Sequence, residues 1–379
     1  MFQAFLYDRY ILKNLSIATL FIAITLAAII LLTQSLKFLE LIIESGASSA
    51  AFWSLAFLAL PRFFEVILPI AVMIATLFIY NRMNSDSEMV VMRAAGRSPF
   101  QLARPALIIA LIVTLLTLFI SMWLAPTTLN SMTKMRQIIK TQYSTLIFRE
   151  GVFNNIGDHL TVYIRNRNTA GELEGLIIHD SRPENDVPNT ILAKRGIILS
   201  SDIGQQVLVY NGSKQDINPK TGALNRLDFD RYTIDLPESG AVKEKYQGAS
   251  ERTFWELLNP DLSVEKDVKQ IPEFIAEAHR RVIGPILSLT FTAIALCCVL
   301  LGPVSRRGQS GRIMTAVVAT IIIQSLYLSV FNYAVTSVIG LIILYIIVFL
   351  PLTFSIFALS PFGENLRNKI MMIMHRKNS

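Results

Sequence analysis

The run Ser85-Asp86-Ser87-Glu88-Met89-Val90-Val91-Met92-Arg93-Ala94-Ala95-Gly96 concentrates the residues most able to do work, and their types suit contact with a surface rather than bond-making. Ser85 and Glu88 stand three apart, the spacing of a capping box, and Gly96 suits the position just past a helix end. Met89 to Met92 and Ala94-Ala95 are apolar, although the charges around them place the segment in water. Exposed apolar surface on a short helix calls for cover. Either the helix lies against the chain's own loops or lipid, or it docks a cytoplasmic partner. Arg62 and Glu65 are one helical turn apart and within pairing reach, and Lys37 closes an apolar run. Charge at a bilayer centre costs ~2.5–3.5 kcal/mol and less near its edge, so all three are expected at the interface. There they serve as snorkelling anchors or as a polar site for an anionic lipid headgroup.

Other chemistry is missing from the chain. No glycine is followed by lysine, so the G-x-x-x-x-G-K phosphate loop is absent. H-E-x-x-H and G-x-S-x-G do not occur, and the four histidines, His159, His179, His279 and His375, are scattered. Paired intramembrane carboxylates suited to a proton relay are lacking. Cys297 and Cys298 are adjacent within an apolar stretch and read as small packing residues. The expectation is a chain with no catalytic residues, no metal site and no cofactor of its own. Any energy it uses comes from a partner.

Six nearly charge-free stretches must position these residues: Leu15–Leu36, Phe63–Tyr80, Pro105–Leu124, Val282–Leu301, Ile313–Tyr333 and Thr336–Leu359. Each approaches the ~20 residues that a helix needs to cross a bilayer core. They come as three, an interval of about 150 residues, then three more. The first exceeds the usual apolar run of a signal peptide, has no small-residue cleavage site after it, and is read as a retained span. The start, the segment Asn81–Arg104, the loop Gly302–Arg312 and the tail together hold 13 basic and 4 acidic residues. The alternate short segments hold Lys37 against Glu40 and Glu44, and no charge near Ala334–Val338. The positive-inside rule puts both termini in the cytoplasm and the long insert outside. That insert, Lys134–Arg281, has 20 basic and 21 acidic residues, so the formal charge of +7 comes from the cytoplasmic face. Membrane topology accounts for the basic balance without nucleic acid.

The insert reads as β structure, with short runs at Thr145–Val152, His159–Arg165, Glu174–Asp180, Thr190–Arg195, Gly196–Ser200, Gln205–Tyr210 and Leu227–Leu236. Turn chemistry separates several of them, at Asn155 to Asp158, Asn168 to Gly171, Asn211-Gly212 and Asn218 to Gly222. Leu160, Val162 and Ile164 alternate with polar neighbours and define one apolar face. In the last run Leu227 and Phe229 give way to Tyr232 and Ile234, a slip of phase at Arg231 that a β-bulge would produce. A sandwich, jelly roll or curled sheet fits this spacing. Thr253 and Glu256 form a second capping-box pattern. Pro272 is expected at a first helical turn leading into the fourth span. Ala51–Leu60 is expected to lie at the outer interface and end near Pro61. The organisation is a first membrane half over 1–126 with the cytoplasmic helix at 85–96, a β domain with helical flanks over 127–271, and a second membrane half over 272–379. The fold class is an α-helical polytopic membrane protein with an inserted, jellyroll-like β domain.

Leu68-Pro69-Ile70 leads through Tyr80-Asn81-Arg82-Met83 into Ser87-Glu88-Met89-Val90-Val91-Met92-Arg93-Ala94-Ala95-Gly96-Arg97-Ser98. This succession resembles the LptF/LptG family of permeases, whose cytoplasmic helix reads S-E-x-x-x-M-x-A-x-G-x-S. Arg9-Tyr10-Ile11-Leu12-Lys13, Trp123-Leu124-Ala125-Pro126, Phe148 to Phe153, Asp228 to Tyr232 and Glu277 to Arg281 agree with it. By overall pattern the chain looks more like the LptF-type subunit than the LptG-type.

The resemblance implies a permease subunit of an ABC transporter in the bacterial inner membrane. Such a subunit pairs with an LptG-type permease on an LptB-type ATPase dimer, which binds the ATP and Mg. It takes lipopolysaccharide from the outer leaflet and passes it through a periplasmic β-jellyroll to an LptC-type protein. In that light Ser85, Glu88, Met89, Met92, Arg93 and Gly96 belong to the coupling helix, with Glu88 as the family's acidic residue. Lys37 and Arg62 remain candidate headgroup contacts on local chemistry alone. Leu160, Val162, Ile164, Leu227 and Phe229 would line a path for acyl chains, each of whose exposed CH₂ groups costs ~0.8 kcal/mol in water. Two rival readings stay open: a permease for another lipid or a lipoprotein, and a non-transport scaffold or sensor whose β domain binds a ligand.

Overall fold

A chain that must satisfy its backbone polar groups without water has to close them within helices, and the described residues of this one form ten. The computed structural model describes residues 2–45, 47–144, 150–156, 159–168, 172–182, 187–201, 204–217, 222–235, 246–302 and 310–367. Among these are α1 (Phe2–Ser45), α2 (Ser49–Ser85), α3 (Glu88–Ala94), α4 (Pro99–Phe119), α5 (Ala125–Ser144), α6 (Phe254–Leu258), α7 (Glu265–Ile283), α8 (Leu287–Leu300), α9 (Ser310–Ala334) and α10 (Val338–Leu359). Six helical runs are long and apolar enough to cross a membrane, one for each stretch expected from the sequence. Two compact units divide the chain. Met1–Leu36, Ala56–Met132 and Gln247–Ser379 form the helical unit, and Lys37–Leu55 with Thr133–Tyr246 forms the unit that contains the sheet. Residues 145–149 of the expected run Thr145–Val152, parts of the turns at 155–158, 168–171 and 218–222, and Arg306, Arg307, Lys369, Arg376 and Lys377 lie outside the described residues. The described remainder of that run, 150–152, is turn rather than strand, and Asn155 and Ile156, expected in a turn, end a strand instead.

The helices outrun their apolar cores. No separate interfacial helix ends at Pro61: α2 runs unbroken for 37 residues through Pro61 and Pro69. Pro272 is not at a first turn either, because α7 begins at Glu265, with Glu265 and Asp267 in its first turn. In both cases the flanking backbone bonds hold the helix across a missing N–H, which neighbouring packing tolerates. After α4 the chain passes through a π-helical turn, Ile120–Leu124, into α5. A wider turn of this kind absorbs Pro126 without ending the helix. Glu256 Oε2 accepts the Thr253 N–H at 2.6 Å, so the capping box expected there is formed.

The sheet has six antiparallel strands, β1 (Phe153–Ile156), β2 (Leu160–Arg167), β3 (Leu173–Asp180), β4 (Asn189–Ser201), β5 (Gly204–Ile217) and β6 (Leu224–Asp235), ordered as in the sequence. Among the described residues it is therefore a single meander. The two runs expected at 190–195 and 196–200 are one strand, and Asn211-Gly212 lies inside β5 rather than in a turn.

What occupies that place is a crease. The ladder is continuous on both sides of one transverse row, Arg165, Gly175, Lys194, Asn211 and Asp230, whose members form no register pair. Asn211 (φ 53°) and Gly175 (φ 66°) sit in the left-handed region along it. Crossing the row swaps the faces. Inward positions run Leu173 then Leu176 and Ile178 in β3, Ile191 and Ala193 then Gly196 and Ile198 in β4, and Phe229 then Tyr232 and Ile234 in β6. The phase slip expected near Arg231 is real, but it is not a bulge in one strand. Register is the same on both sides of it, and the same slip recurs in the neighbouring strands. Apolar residues from both sides of the row join one buried cluster.

Gly212 stands beside the crease because nothing larger fits. A Cβ there would lie 2.3 Å from the Leu192 carbonyl oxygen and 2.6 Å from Phe229 Cζ. Gly212→Ala is expected to destabilise the sheet by about 1–3 kcal/mol. Limited proteolysis of the full chain in detergent should show faster cleavage within 150–235, and unchanged protection would refute the packing argument.

Candidate functional site

A seven-residue helix has too few internal bonds to be stable alone, so α3 depends on what holds it. Its ends are set by backbone geometry. Ser87 precedes it with φ 61° and makes no side-chain cap. The expected Ser85–Glu88 capping box is not formed, because α2 continues through Ser85, whose hydroxyl donates to the Asn81 carbonyl at 3.1 Å. The C-terminal end matches expectation. Gly96 has φ 82°, its N–H donates to the Arg93 carbonyl at 3.0 Å, and the Arg97 N–H donates to the Met92 carbonyl at 3.2 Å. That pair of bonds is a Schellman motif.

One face of α3 is fixed to the helical unit. Met89 is buried in the main apolar cluster, and Met92 packs against it. The Arg93 guanidinium donates to the Leu300 carbonyl at the end of α8, supplying a cation and a donor where a helix leaves its last carbonyls unpaired. Burial, then the neighbouring Arg312, holds the Arg93 pKa below the usual guanidinium value. Just beyond, Arg97 pairs with Asp8 of α1 at 3.0 Å and lies over the Tyr7 ring. The Tyr80 hydroxyl of α2 donates to the Leu102 carbonyl of α4 at 2.6 Å. The opposite face of α3 is free: Val90, Val91 (63 % exposed), Ala94 and Ala95, with Phe100 nearby in sequence, present apolar surface to solvent. Glu88 is half-buried, and its Oε2 has no hydrogen-bond partner among the described residues.

The remaining candidates are dispersed. Arg62 and Glu65 pair as expected, at 2.7 Å, in the helical unit. Lys37 is exposed and belongs to the other unit. Leu160, Val162 and Ile164 are all buried at 1 % exposure or less in the sheet's apolar cluster, Phe229 packs against that cluster, and Leu227 is exposed.

Sequence reasoning missed a buried charge cluster on α7. Glu277 accepts two bonds from Arg280, both at 2.6 Å, and one from Arg281 at 3.2 Å. Arg281 is 2 % exposed and donates onward to the carbonyls of Ala249 and Arg252. Arg252 in turn grips Asp267 through two bonds of 2.7 Å and lies over the Phe274 ring. Arg280 also lies over Phe331 of α9, and His279 Nδ1 is 2.9 Å from the Tyr345 hydroxyl of α10. A small cavity of about 60 Å³ adjoins the cluster, lined by polar groups of Glu65, Ser121, Arg280 and Tyr327 and by apolar Val66 and Leu287 among others. The i, i+3, i+4 spacing of Glu277, Arg280 and Arg281 was the available signal.

Comparison with known proteins agrees over nearly the whole length. A family model described as lipopolysaccharide export system permease LptF/LptG matches residues 9–361. The chain is 28 % identical to an uncharacterized protein of Rickettsia prowazekii over 335 residues, covering 87 % of this chain and 91 % of that one. It is 20 % identical to the lipopolysaccharide export system permease protein LptF of Escherichia coli K12 over 318 residues, covering 83 % and 82 %. It is 27 % identical to the lipopolysaccharide export system permease protein LptG of Haemophilus influenzae over 175 residues, covering 45 % and 48 %.

Removing Glu277 would leave the buried Arg281 and the half-buried Arg280 without their carboxylate. Breaking a buried pair in this way costs about 3–5 kcal/mol. Glu277→Ala should therefore lower the unfolding midpoint of the purified chain in detergent sharply, whereas Glu265→Ala, which removes an exposed partner of Lys269, should leave it within error. Equal midpoints for the two variants would remove the cluster's structural role.

Proposed function

The chain belongs to the LptF/LptG family of lipopolysaccharide export permeases, and from that premise we propose that it is the LptF-type permease subunit of an ABC exporter. It is a multi-pass protein of the bacterial inner membrane. In this reading both termini face the cytoplasm and the β unit faces the periplasm, which the charge asymmetry of the short loops supports. The partners are an LptG-type permease, an LptB-type ATPase dimer carrying ATP and Mg, and an LptC-type acceptor. The match to an LptF over more than four-fifths of both chains supports the choice of subunit.

The observation that carries the proposal is the two-sidedness of α3. An apolar face, Val90, Val91, Ala94 and Ala95, is open to solvent, while Met89, Met92 and Arg93 bind the opposite face to the spans. A partner that covers the open face can then move the spans by moving one short helix. The half-buried Glu88 carboxylate has an oxygen without a donor in this chain, and a donor from the ATPase would satisfy it. The sheet acts as the jellyroll-like carrier. Its apolar cluster, with Leu160, Val162 and Ile164, is the surface that exchanges its own packing for acyl chains, and Phe229 and the exposed Leu227 mark the rim. Lys37 and Arg62 are the proposed contacts for lipid phosphates.

Val91→Asp and Glu88→Ala are each expected to reduce recovery of the ATPase with the affinity-purified permease pair by tenfold or more, or to uncouple hydrolysis from export, with expression unchanged. Lipopolysaccharide should copurify with the wild-type complex. Recovery of a different lipid class would favour the other-lipid exporter, and a complex that never contains an ATPase would favour the scaffold.

A further inference from the structure

Three prolines on three helical runs leave backbone carbonyls without their usual donors. Proline has no N–H to give to the residue four back. Pro69 in α2 therefore withholds a donor from the Glu65 carbonyl, and Pro285 withholds one from Arg281. Between α4 and α5 the Ala125 N–H donates to Ile120, five residues back, and Pro126 has none to give to Ser121. All three carbonyls lie in or beside apolar stretches, where an unmet backbone group has no bulk water to turn to.

These breaks meet at one place. The cavity of about 60 Å³ beside the charge cluster is lined by Glu65 and Pro69 of α2, by Ser121 of the π-helical turn, and by Gly284 and Pro285 of the 3₁₀ turn. All of them belong to the helical unit. An internal proline, a π-helical turn and a 3₁₀ turn are three different causes of a bend or hinge in a helix. By contrast α9, which borders the cavity with Gln324 and Tyr327, runs from Ser310 to Ala334 without an internal proline. One kink reshapes one helix. Three at one level give a plane about which one end of a bundle can move against the other.

The lining suits water. Glu65, paired with Arg62, faces the cavity from α2, and Arg280, paired with Glu277, faces it from α7. No ion pair joins Glu65 to Arg280 among the described residues. The charges come as pairs, which favours a neutral occupant over an ion. A water needs about 10–15 Å³ of volume counted in this way and 2–4 polar partners, so the cavity has room for more than one. Val66, Leu287 and Leu328 form apolar parts of the wall, and apolar contact is non-directional, so those parts can slide. We propose that the cavity is a water-filled hinge. Waters there accept from the Arg280 guanidinium and donate to the freed carbonyls of Glu65 and Ser121. Residues 56–68 of α2, the start of α5 and α7, on the side of the charge cluster, swing about it. They move against the rest of α2, α4 and α8, on the side of α3. The hinge stands on this cavity alone, whatever the chain exports and whatever drives it.

The test uses the full chain in detergent and needs neither cargo nor ATPase. Hydrogen–deuterium exchange read by mass spectrometry should be at least tenfold faster at 120–125 and 286–288 than at 108–116 and 291–297, with protection restored at 128–132. Uniform protection across the breaks would mean a dry joint, and protection falling steadily toward the cluster side would mean fraying; either overturns the proposal. Gly284→Ala sets a Cβ 3.0 Å from the Tyr327 hydroxyl and narrows the cavity. Exchange at both breaks should then slow at least threefold, and unchanged exchange would remove the water. Motion is read by electron paramagnetic resonance with Cys297 and Cys298 replaced by alanine. One label pair, Phe57→Cys with Ile275→Cys, lies on the cluster side, and the other, Phe78→Cys with Ile112→Cys, lies on the α3 side; all four positions are exposed. The first pair should show the broader spread of distances. Pro69→Ala, which returns a donor to the Glu65 carbonyl, should narrow that spread at least twofold and leave the second pair unchanged. If Gly284→Ala does not fold, Pro69→Ala decides alone. Equal spreads for the two pairs, or a first pair that Pro69→Ala leaves as it was, would overturn the hinge.

Discussion

Glu277 is the constraint around which the helical unit is arranged. Burying the Arg281 guanidinium beside the half-buried Arg280 is tolerable only if a carboxylate and further acceptors are fixed there. Glu277 supplies the first, and the carbonyls of Ala249 and Arg252 supply the second. Each requirement fixes another element. The carbonyls bring the segment before α6 onto α7, and Arg252 repeats the arrangement by gripping Asp267 one stage earlier. Arg280 and His279 reach Phe331 and Tyr345, which set α9 and α10 against the same helix. Apolar packing between spans in lipid is weakly directional, because the tails are as apolar as leucine. Polar contacts of this kind give the helices a register that packing alone would leave loose.

The sheet solves a different problem with a similar economy. One apolar face must be buried, yet no other strand layer is described to cover it. The row from Arg165 to Asp230 lets every crossing strand change faces at the same level. Residues from both sides of the row can then enter one apolar cluster. The backbone accepts the change where Gly175 and Asn211 take positive φ, which glycine does freely and asparagine more readily than most residues. The polar side chains displaced by that change gather on the other face and form a groove there. Cluster and groove thus have one cause.

The sequence disclosed the parts governed by local pattern. Charge around six apolar runs located the candidate spans, and alternation at Leu160, Val162 and Ile164 located the apolar face. Helix limits were hidden because proline ends a helix by local rules that packing can override, as at Pro61 and Pro272. Ser85 and Glu88 had the right spacing for a cap, but α2 did not stop where the cap required. The phase slip in β6 was visible. Reading it as a bulge followed from seeing a single strand, since only the register with β5 shows that no residue is extra. The charge cluster was least legible. Burial of Arg281 depends on carbonyls about thirty residues away, at Ala249 and Arg252, and no local pattern encodes that.

The two ends of the run from Glu265 to Leu300 can be considered together. It is a nearly continuous helical rod of 36 residues, or about 54 Å at 1.5 Å per residue. A single 3₁₀ turn, Gly284–Ile286, interrupts it. The charge cluster occupies its first half, and the Arg93 bond to the Leu300 carbonyl occupies its end. A short helix such as α3 can transmit a displacement only if it cannot unwind or slide. Burial of Met89 opposes sliding, the Schellman bonds after Arg93 oppose unwinding, and the guanidinium ties the helix to the rod itself. Under the proposed coupling role, a push on the exposed valine face would reach the end of α8 through the Arg93–Leu300 bond. At the other end lies the charge cluster, where α9 and α10 are both held by polar contacts.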